Sequence, residues 1–151
     1  VEKASRERML EVMIEIDDRP LSSFGCDGVV VATPTGSTAY NFSAGGPVVW
    51  PEVQALCLVP LSAHALFARP VVLGPDTSVS IDVLERNQGL GVLWCDGRRS
   101  HDLPPGARVV VRRSGRPVRL ARLHRSAFTD RLVRKFQLPI AGWRGVAETG
   151  L

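Results

Sequence analysis

Apolar side chains recur at every second position through most of this chain. Val12, Ile14 and Ile16 interleave with Met13, Glu15 and Asp17, and Val79, Ile81 and Val83 interleave with Ser80, Asp82 and Leu84. Successive side chains of a strand point to opposite faces, so each run predicts a strand with one buried face. Asp17-Asp18-Arg19-Pro20 is expected to turn the chain after the first run. Gly91 to Cys95 is a short apolar run closed by Asp96-Gly97, a hairpin signal because both residues tolerate positive φ. Val109 to Arg112, Ser114-Gly115 and Val118 to Leu123 predict a further hairpin, and Gly74-Pro75-Asp76 and Pro104-Pro105-Gly106 punctuate the strands between. Short strands at this spacing predict a mainly β fold, an antiparallel sandwich-like domain with one or two short helices.

The helices are expected where the alternation fails. Ser37 to Ala44 follows Gly36 and stops at Gly45-Gly46-Pro47, the pattern of a short helix with a glycine stop. Thr129 to Phe136 carries Leu132, Val133 and Phe136 at helical spacing, with Thr129 as N-cap and Pro139 just beyond the end.

With 151 residues, the chain suits one domain spanning 1–151 and is short for two. A composition of 44% hydrophobic and 23% charged residues is that of a globular protein and argues against disorder. Val29 to Ala32 and Leu56 to Leu61 fall far short of the roughly 20 apolar residues a membrane helix needs, so no membrane is expected. Glu2, Lys3, Arg6, Glu7 and Arg8 make the start too charged for a signal peptide, and beginning at Val1 instead of Met is the mark of a fragment. Cys26, Cys57 and Cys95 form no CxxC pair, and an odd count fits reduced thiols in the cytoplasm. His64, His101 and His124 have no ligand spacing, so no protein-built zinc site is expected. Between Arg108 and Lys135 the basic residues Arg108, Arg112, Arg113, Arg116, Arg119, Arg122, Arg125, Arg131, Arg134 and Lys135 face one acid, Asp130. Such a run either attracts polyanions or is a solvated face with ion pairs to the acidic N-terminal part.

The candidate chemistry lies in Asp27 to Pro47. A buried strand runs into a turn in which Thr33, Thr35, Ser37 and Thr38 bring four hydroxyls together, with Gly36 permitting close backbone approach or positive φ. The first turn of the following helix would offer free N–H groups, and Tyr40 a flat ring to lie against a base. No charge intervenes between Asp27 and Glu52, so binding here would rest on neutral hydrogen bonds. Neither the P-loop, the Rossmann glycine spacing nor a Gly-x-Ser-x-Gly elbow is present. On the residues alone, a ligand loop and an ordinary capped strand-to-helix turn both remain open.

The run Thr33-Pro34-Thr35-Gly36-Ser37-Thr38-Ala39-Tyr40, preceded by Asp27-Gly28 and followed by Ser43-Ala44-Gly45-Gly46-Pro47, resembles the signature of the NAD kinase family. The resemblance continues through Pro60-Leu61-Ser62-Ala63-His64, Ala68-Arg69-Pro70-Val71-Val72 and Cys95-Asp96-Gly97-Arg98. Arg122-Leu123-His124, Phe128 and Phe136 extend it, so that it covers about Val1 to Arg144. It implies the C-terminal, sandwich-like half of an enzyme that transfers the γ-phosphoryl group of ATP, or a phosphate of polyphosphate, to the adenosine ribose 2′-hydroxyl of NAD. A divalent metal such as Mg accompanies ATP, and the enzymes are homodimers or homotetramers. By the same resemblance Thr35, Thr38, Ala39, Tyr40 and Ser43 contact NAD, supported by Gly36 and Ser37. Asp27 and Ser62 lie where such enzymes reach a ligand held mainly by a neighbouring subunit. His64 and Asp96 are further candidates, readable equally as a core histidine and a hairpin aspartate.

Two family features are missing. The Gly-Gly-Asp-Gly motif, whose Asp activates the 2′-hydroxyl, and the Asn-Glu pair that grips NAD do not occur here. Phosphoryl transfer depends on positioning and charge stabilisation around a metal, so this stretch is expected to be inactive by itself, with no catalytic residue, and to bind NAD weakly. Two rivals are a lipid kinase of the diacylglycerol or sphingosine type, which would need an apolar acyl tunnel, and a basic β module using Arg112 to Arg125 to bind nucleic acid. The hydroxyl cluster disfavours the first, and the scarcity of aromatic residues in that hairpin disfavours the second. Trp50, Trp94 and Trp143 are readable as oligomer-face or core residues.

Overall fold

The computed structural model describes residues 1–4, 8–121, 123 and 126–141. Arg122, His124, Arg125, Trp143 and Arg144 therefore lie outside the described residues. The chain divides into two compact units, Val1–Gly115 and Arg116–Leu151.

Among the described residues of the first unit, ten strands form two antiparallel sheets. They are β1 (Glu2–Lys3), β2 (Leu10–Ile16), β3 (Arg19–Cys26), β4 (Gly28–Ala32), β5 (Leu56–Leu61), β6 (Val71–Leu73), β7 (Val79–Val83), β8 (Gly91–Cys95), β9 (Arg99–Leu103) and β10 (Arg108–Val111). The six-stranded sheet runs β6-β5-β4-β1-β8-β9, and the four-stranded sheet β10-β7-β2-β3. The predicted alternation decides which side chains meet between them. Val12 pairs with Val83, Ile14 with Ile81 and Ile16 with Val79 across β2 and β7, so one face of the smaller sheet is a continuous aliphatic surface. Val29, Leu58 and Leu103 of the larger sheet complete the same core, in which Val12 and Val79 are fully buried. A mainly β, antiparallel, sandwich-like architecture is what the period-two pattern predicts.

The turns follow their residues with one adjustment. Asp17 and Asp18 both take positive φ (50° and 60°), and Ile16 pairs directly with Arg19. The turn is thus two residues long, and Arg19-Pro20 already belongs to β3. Asp96 and Gly97 likewise take positive φ and join β8 to β9. Part of the basic run is consumed by ion pairs, as the solvated-face reading holds. Arg108 binds Glu15 and, at 3.2 Å, Asp82, tying β10 to β7 and β2. Arg113 reaches Asp76 at 3.0 Å and Gln54 at 2.6 Å.

Among the described residues the second predicted hairpin does not form. β10 ends at Val111, and Val118 to Ala121 is described without strand. Pro117 cannot donate to a ladder, and the apolar half of the alternation has no cover: Val118 and Leu120 are 86% and 63% exposed. Alternation makes a strand only where a second surface buries it. Within the second unit, one helix spans Phe128–Phe136. Its N-cap is Ala127 without a side-chain cap bond, so Thr129 sits inside the first turn instead of capping it. Gln137 ends it in the left-handed conformation, two residues before Pro139. Arg131 lies over the Phe128 ring and Lys135 over the Phe136 ring, at 5.3 and 5.6 Å. Among the described residues, no helix is long and apolar enough to cross a membrane.

Candidate functional site

Strand β4 serves both faces of its sheet. Val29 and Val31 pack toward the sandwich core, while Val30 and Ala32 look out from the opposite face. Beyond Ala32 the chain does not form the single helix predicted over Ser37 to Ala44. It makes a 3₁₀ turn over Thr35–Thr38, is interrupted at Ala39, and resumes as a short α-helix, Tyr40–Ser43. The break has a cause in the hydrogen bonds. The Ser37 and Ala39 amides donate to the Pro34 and Gly36 carbonyls, at 3.1 and 3.0 Å, the tighter spacing of a 3₁₀ turn. Those two N–H groups are therefore engaged by the turn and not free for a ligand. The predicted glycine stop is present, with Gly45 at φ +85°.

This segment curls over the outer face of the sheet and bounds a cleft of about 670 Å³. Its floor holds Val30, Val31, Ala32 and Glu2, one wall holds Thr33, Gly36, Ala39, Tyr40 and Asn41, and the far side holds Trp94, Asp96 and Gly97. Gly36 does not take positive φ; its value is closeness, since a Cβ there would come within 3.2 Å of the Ala32 Cβ.

The hydroxyls of the turn divide their tasks. Ser37 is fully buried, and its Oγ donates to the Pro34 carbonyl at 2.6 Å while accepting the Val49 amide at 2.9 Å. It braces the turn against the segment that follows. Asn41, 1% exposed, donates from Nδ2 to the Ser37 and Pro47 carbonyls at 3.5 Å. Of the sequence-predicted residues, Gly36, Ala39, Tyr40 and Asp96 border the cleft, whereas Thr35, Thr38 and Ser43 lie on the turn and helix without being among its lining residues.

Asp27 and Ser62 are brought together away from that lining. The Asp27 amide donates to the Leu61 carbonyl at 2.9 Å, and Ser62 takes positive φ (47°). Lys3, at 2.5 Å, together with the Ser62 hydroxyl, holds the half-buried Asp27 carboxyl below the usual carboxylate range. His64 is exposed and joined through its amide to the Gly25 carbonyl at 2.8 Å, so it is not a core histidine. Asp96 both turns the β8–β9 hairpin and borders the cleft.

Sequence reasoning misses Glu2, Val30, Val31, Ala32, Asn41 and Trp94 as site residues. Glu2 also changes the electrostatics, because two carboxylates, Glu2 and Asp96, border a cleft expected to be neutral. Desolvation first, and then a hydrogen bond with Glu2, raises the Tyr40 phenol above its ordinary value. Among the described residues no group of three or more His, Cys, Asp or Glu is placed to hold a metal ion.

Comparison with known proteins gives these observations a setting. The ATP-NAD kinase C-terminal domain family matches residues 1–123. An NAD kinase of Leifsonia xyli is 74% identical over 145 residues, 96% of this chain and 48% of the relative. NAD kinase 2 of Streptomyces coelicolor is 66% identical over the same shares of each chain. The chain thus spans about half the length of the curated relatives it matches. Among solved structures, yeast NADH kinase complexed with NADH superposes with a TM-score of 0.66 at 32% identity, covering 72% of this chain and 32% of that one. An NAD kinase from Archaeoglobus fulgidus in complex with ATP gives 0.67 at 27% identity, covering 76% and 43%.

Proposed function

The chain belongs to the NAD kinase family, matching its C-terminal domain, and we propose that it forms the NAD-binding half of an enzyme that phosphorylates the adenosine ribose 2′-hydroxyl of NAD, with ATP or polyphosphate as donor. The observation that carries this reading is the cleft on the outer face of the six-stranded sheet, walled by Gly36, Ala39 and Tyr40. Its volume lies within the roughly 300–1,000 Å³ typical of small-molecule sites. A backbone turn, a phenol ring and an apolar floor suit a nucleoside, with Tyr40 against the base and Ala39 toward the ribose; Thr35 and Thr38, on the same turn but outside the cleft lining, are assigned to the ribose by family membership. Ser43 would complete the same contacts.

Among the described residues, the cleft lining includes no Lys or Arg. Two carboxylates without a cation repel phosphate, so the pyrophosphate and the donor's phosphates are assigned outside this part of the cleft. The divalent metal that travels with ATP supplies charge stabilisation at the transferred phosphoryl group, and its ligands are assigned to the portion of the relatives this chain does not span. Asp27 and Ser62, paired beside Lys3, are assigned to a ligand held by a neighbouring subunit, which makes the working form a homodimer or homotetramer. We place the single domain over 1–151 and the protein in the cytoplasm. Family membership favours this reading over a lipid kinase domain or a nucleic-acid module, and the unformed Arg-rich hairpin further weakens the latter.

The test is made on the full-length protein. Thr38→Ala combined with Tyr40→Ala should raise KM for NAD about 10- to 100-fold, the scale of a lost hydrogen bond plus an aromatic contact. Unchanged handling of NAD by the double variant overturns the assignment.

A further inference from the structure

Trp94 has no part in the reading above, yet the sheet register aims it at the same place. Glu2 pairs with Gly28 of β4 on one side and with Val92 of β8 on the other. Side chains two positions apart share a face. Val30 and Ala32 of β4, Glu2 of β1 and Trp94 of β8 therefore project from one face of the sheet, the face that floors the cleft. Leu93, between Val92 and Trp94, packs the other way, against the core. Trp94 is 51% exposed and Tyr40 54%, and both border the cleft.

A half-exposed indole beside an apolar floor offers a flat, polarisable surface whose water is readily displaced by another flat ring. The carboxylates of Glu2 and Asp96 keep anionic groups from its vicinity and suit an uncharged or cationic heteroaromatic ring bearing an amino group. We propose that Trp94 is a binding residue for a heteroaromatic ring of the dinucleotide, its indole forming a second flat wall in addition to Tyr40. The proposal rests on the NAD-binding reading and assigns a residue from a strand remote in sequence from the hydroxyl-rich turn.

The full-length protein is compared with its Trp94→Phe and Trp94→Ala variants by calorimetric titration with NAD, by KM for both substrates and by thermal melting. Loss of the ring should weaken NAD binding about 5- to 100-fold, the range for stacking on one aromatic side chain. Phenylalanine should restore affinity to within about threefold, because it keeps a flat face. The ATP KM and the melting temperature should not move. Titration with AMP and with nicotinamide mononucleotide separates the two possible rings, since only the one that stacks on Trp94 loses affinity in Trp94→Ala. Wild-type affinity for NAD in Trp94→Ala, or a Trp94→Phe variant as weak as the alanine, overturns the proposal while leaving the NAD reading in place. A wild-type protein that does not bind NAD overturns both.

Discussion

Ser37→Ala tests whether the turn is held by the hydroxyl the structure buries. Ser37 is 0% exposed and Val49, whose amide it accepts at 2.9 Å, is 8% exposed. Alanine removes that acceptor and also the donor to the Pro34 carbonyl. A neutral hydrogen bond contributes about 0.5–1.5 kcal/mol net, and a buried donor left without a partner costs about 1–3 kcal/mol. Removing the hydroxyl also removes its own desolvation, so the contributions do not add in full. The expected loss is about 1–3 kcal/mol, measured as a lower urea midpoint of the full-length protein at unchanged slope. Because the brace holds the turn that carries Ala39 and Tyr40, NAD affinity should fall with it. Amide exchange localises the effect: Val49 should lose protection while Val12 and Ile81 in the core keep theirs. A change below about 0.5 kcal/mol, the range of surface substitutions, with Val49 still protected, would refute the bracing role.

Gly46→Ala should destabilise by about 1–3 kcal/mol, because its Cβ would lie 2.2 Å from Asn41 Nδ2 and 2.7 Å from the Asn41 carbonyl; Gly89→Ala, with nothing within 4 Å of its Cβ, serves as the near-neutral control in the same urea titration. The depressed Asp27 carboxyl, held first by Lys3 and then by Ser62, contributes stability that is present above its ordinary pKa of 3.8 and lost as pH falls through its lower folded value. Asp27→Asn should therefore flatten the acid limb of the stability–pH profile, and parallel profiles for variant and wild type would count against the pairing. Burial pushes the Cys26 thiol up to about 11 from 9.0, so its contribution is complete below 9.0 and declines as pH rises toward 11. At pH 8 the native protein should label with iodoacetamide at the partly exposed Cys95 before the buried Cys26, read by peptide mass spectrometry.

The strands of the core were legible because their period matches the face they bury. Val12, Ile14 and Ile16 announce β2, and Val79, Ile81 and Val83 announce β7, since each apolar residue meets another directly across the sheet. Val118 and Leu120 carry the same period and form no strand among the described residues, because alternation records a capacity for burial and not the presence of a partner. The helix after Gly36 was legible in position and wrong in kind. Its residues contain no marker distinguishing an unbroken α-helix from a 3₁₀ turn and an α-turn that change register at Ala39. The turn face of the site could be read from one run of residues. Glu2 and Trp94 could not, because they reach the cleft only through the order β4-β1-β8, which joins segments about 90 residues apart.

That sheet order also explains why the site can be chemically specialised without loosening the fold. Val29 of β4 belongs to the core and Val30 and Ala32 to the cleft, while Val31 packs against the core and also borders the cleft, so one strand carries both tasks. The same division holds on β8, where Leu93 packs inward and Trp94 outward. Side chains on the outer face can therefore change with little effect on the inner one, provided the backbone stays in register. What cannot vary independently is the segment laid across that outer face. Ser37 and Asn41 hold it through carbonyls and an amide of Pro34, Pro47 and Val49, and Gly46 leaves space for the Asn41 side chain. Ser37 in the signature run and Asn41 just after it thus secure the turn in place, while the groups proposed to meet a ligand include a phenol ring, backbone and an indole from another strand.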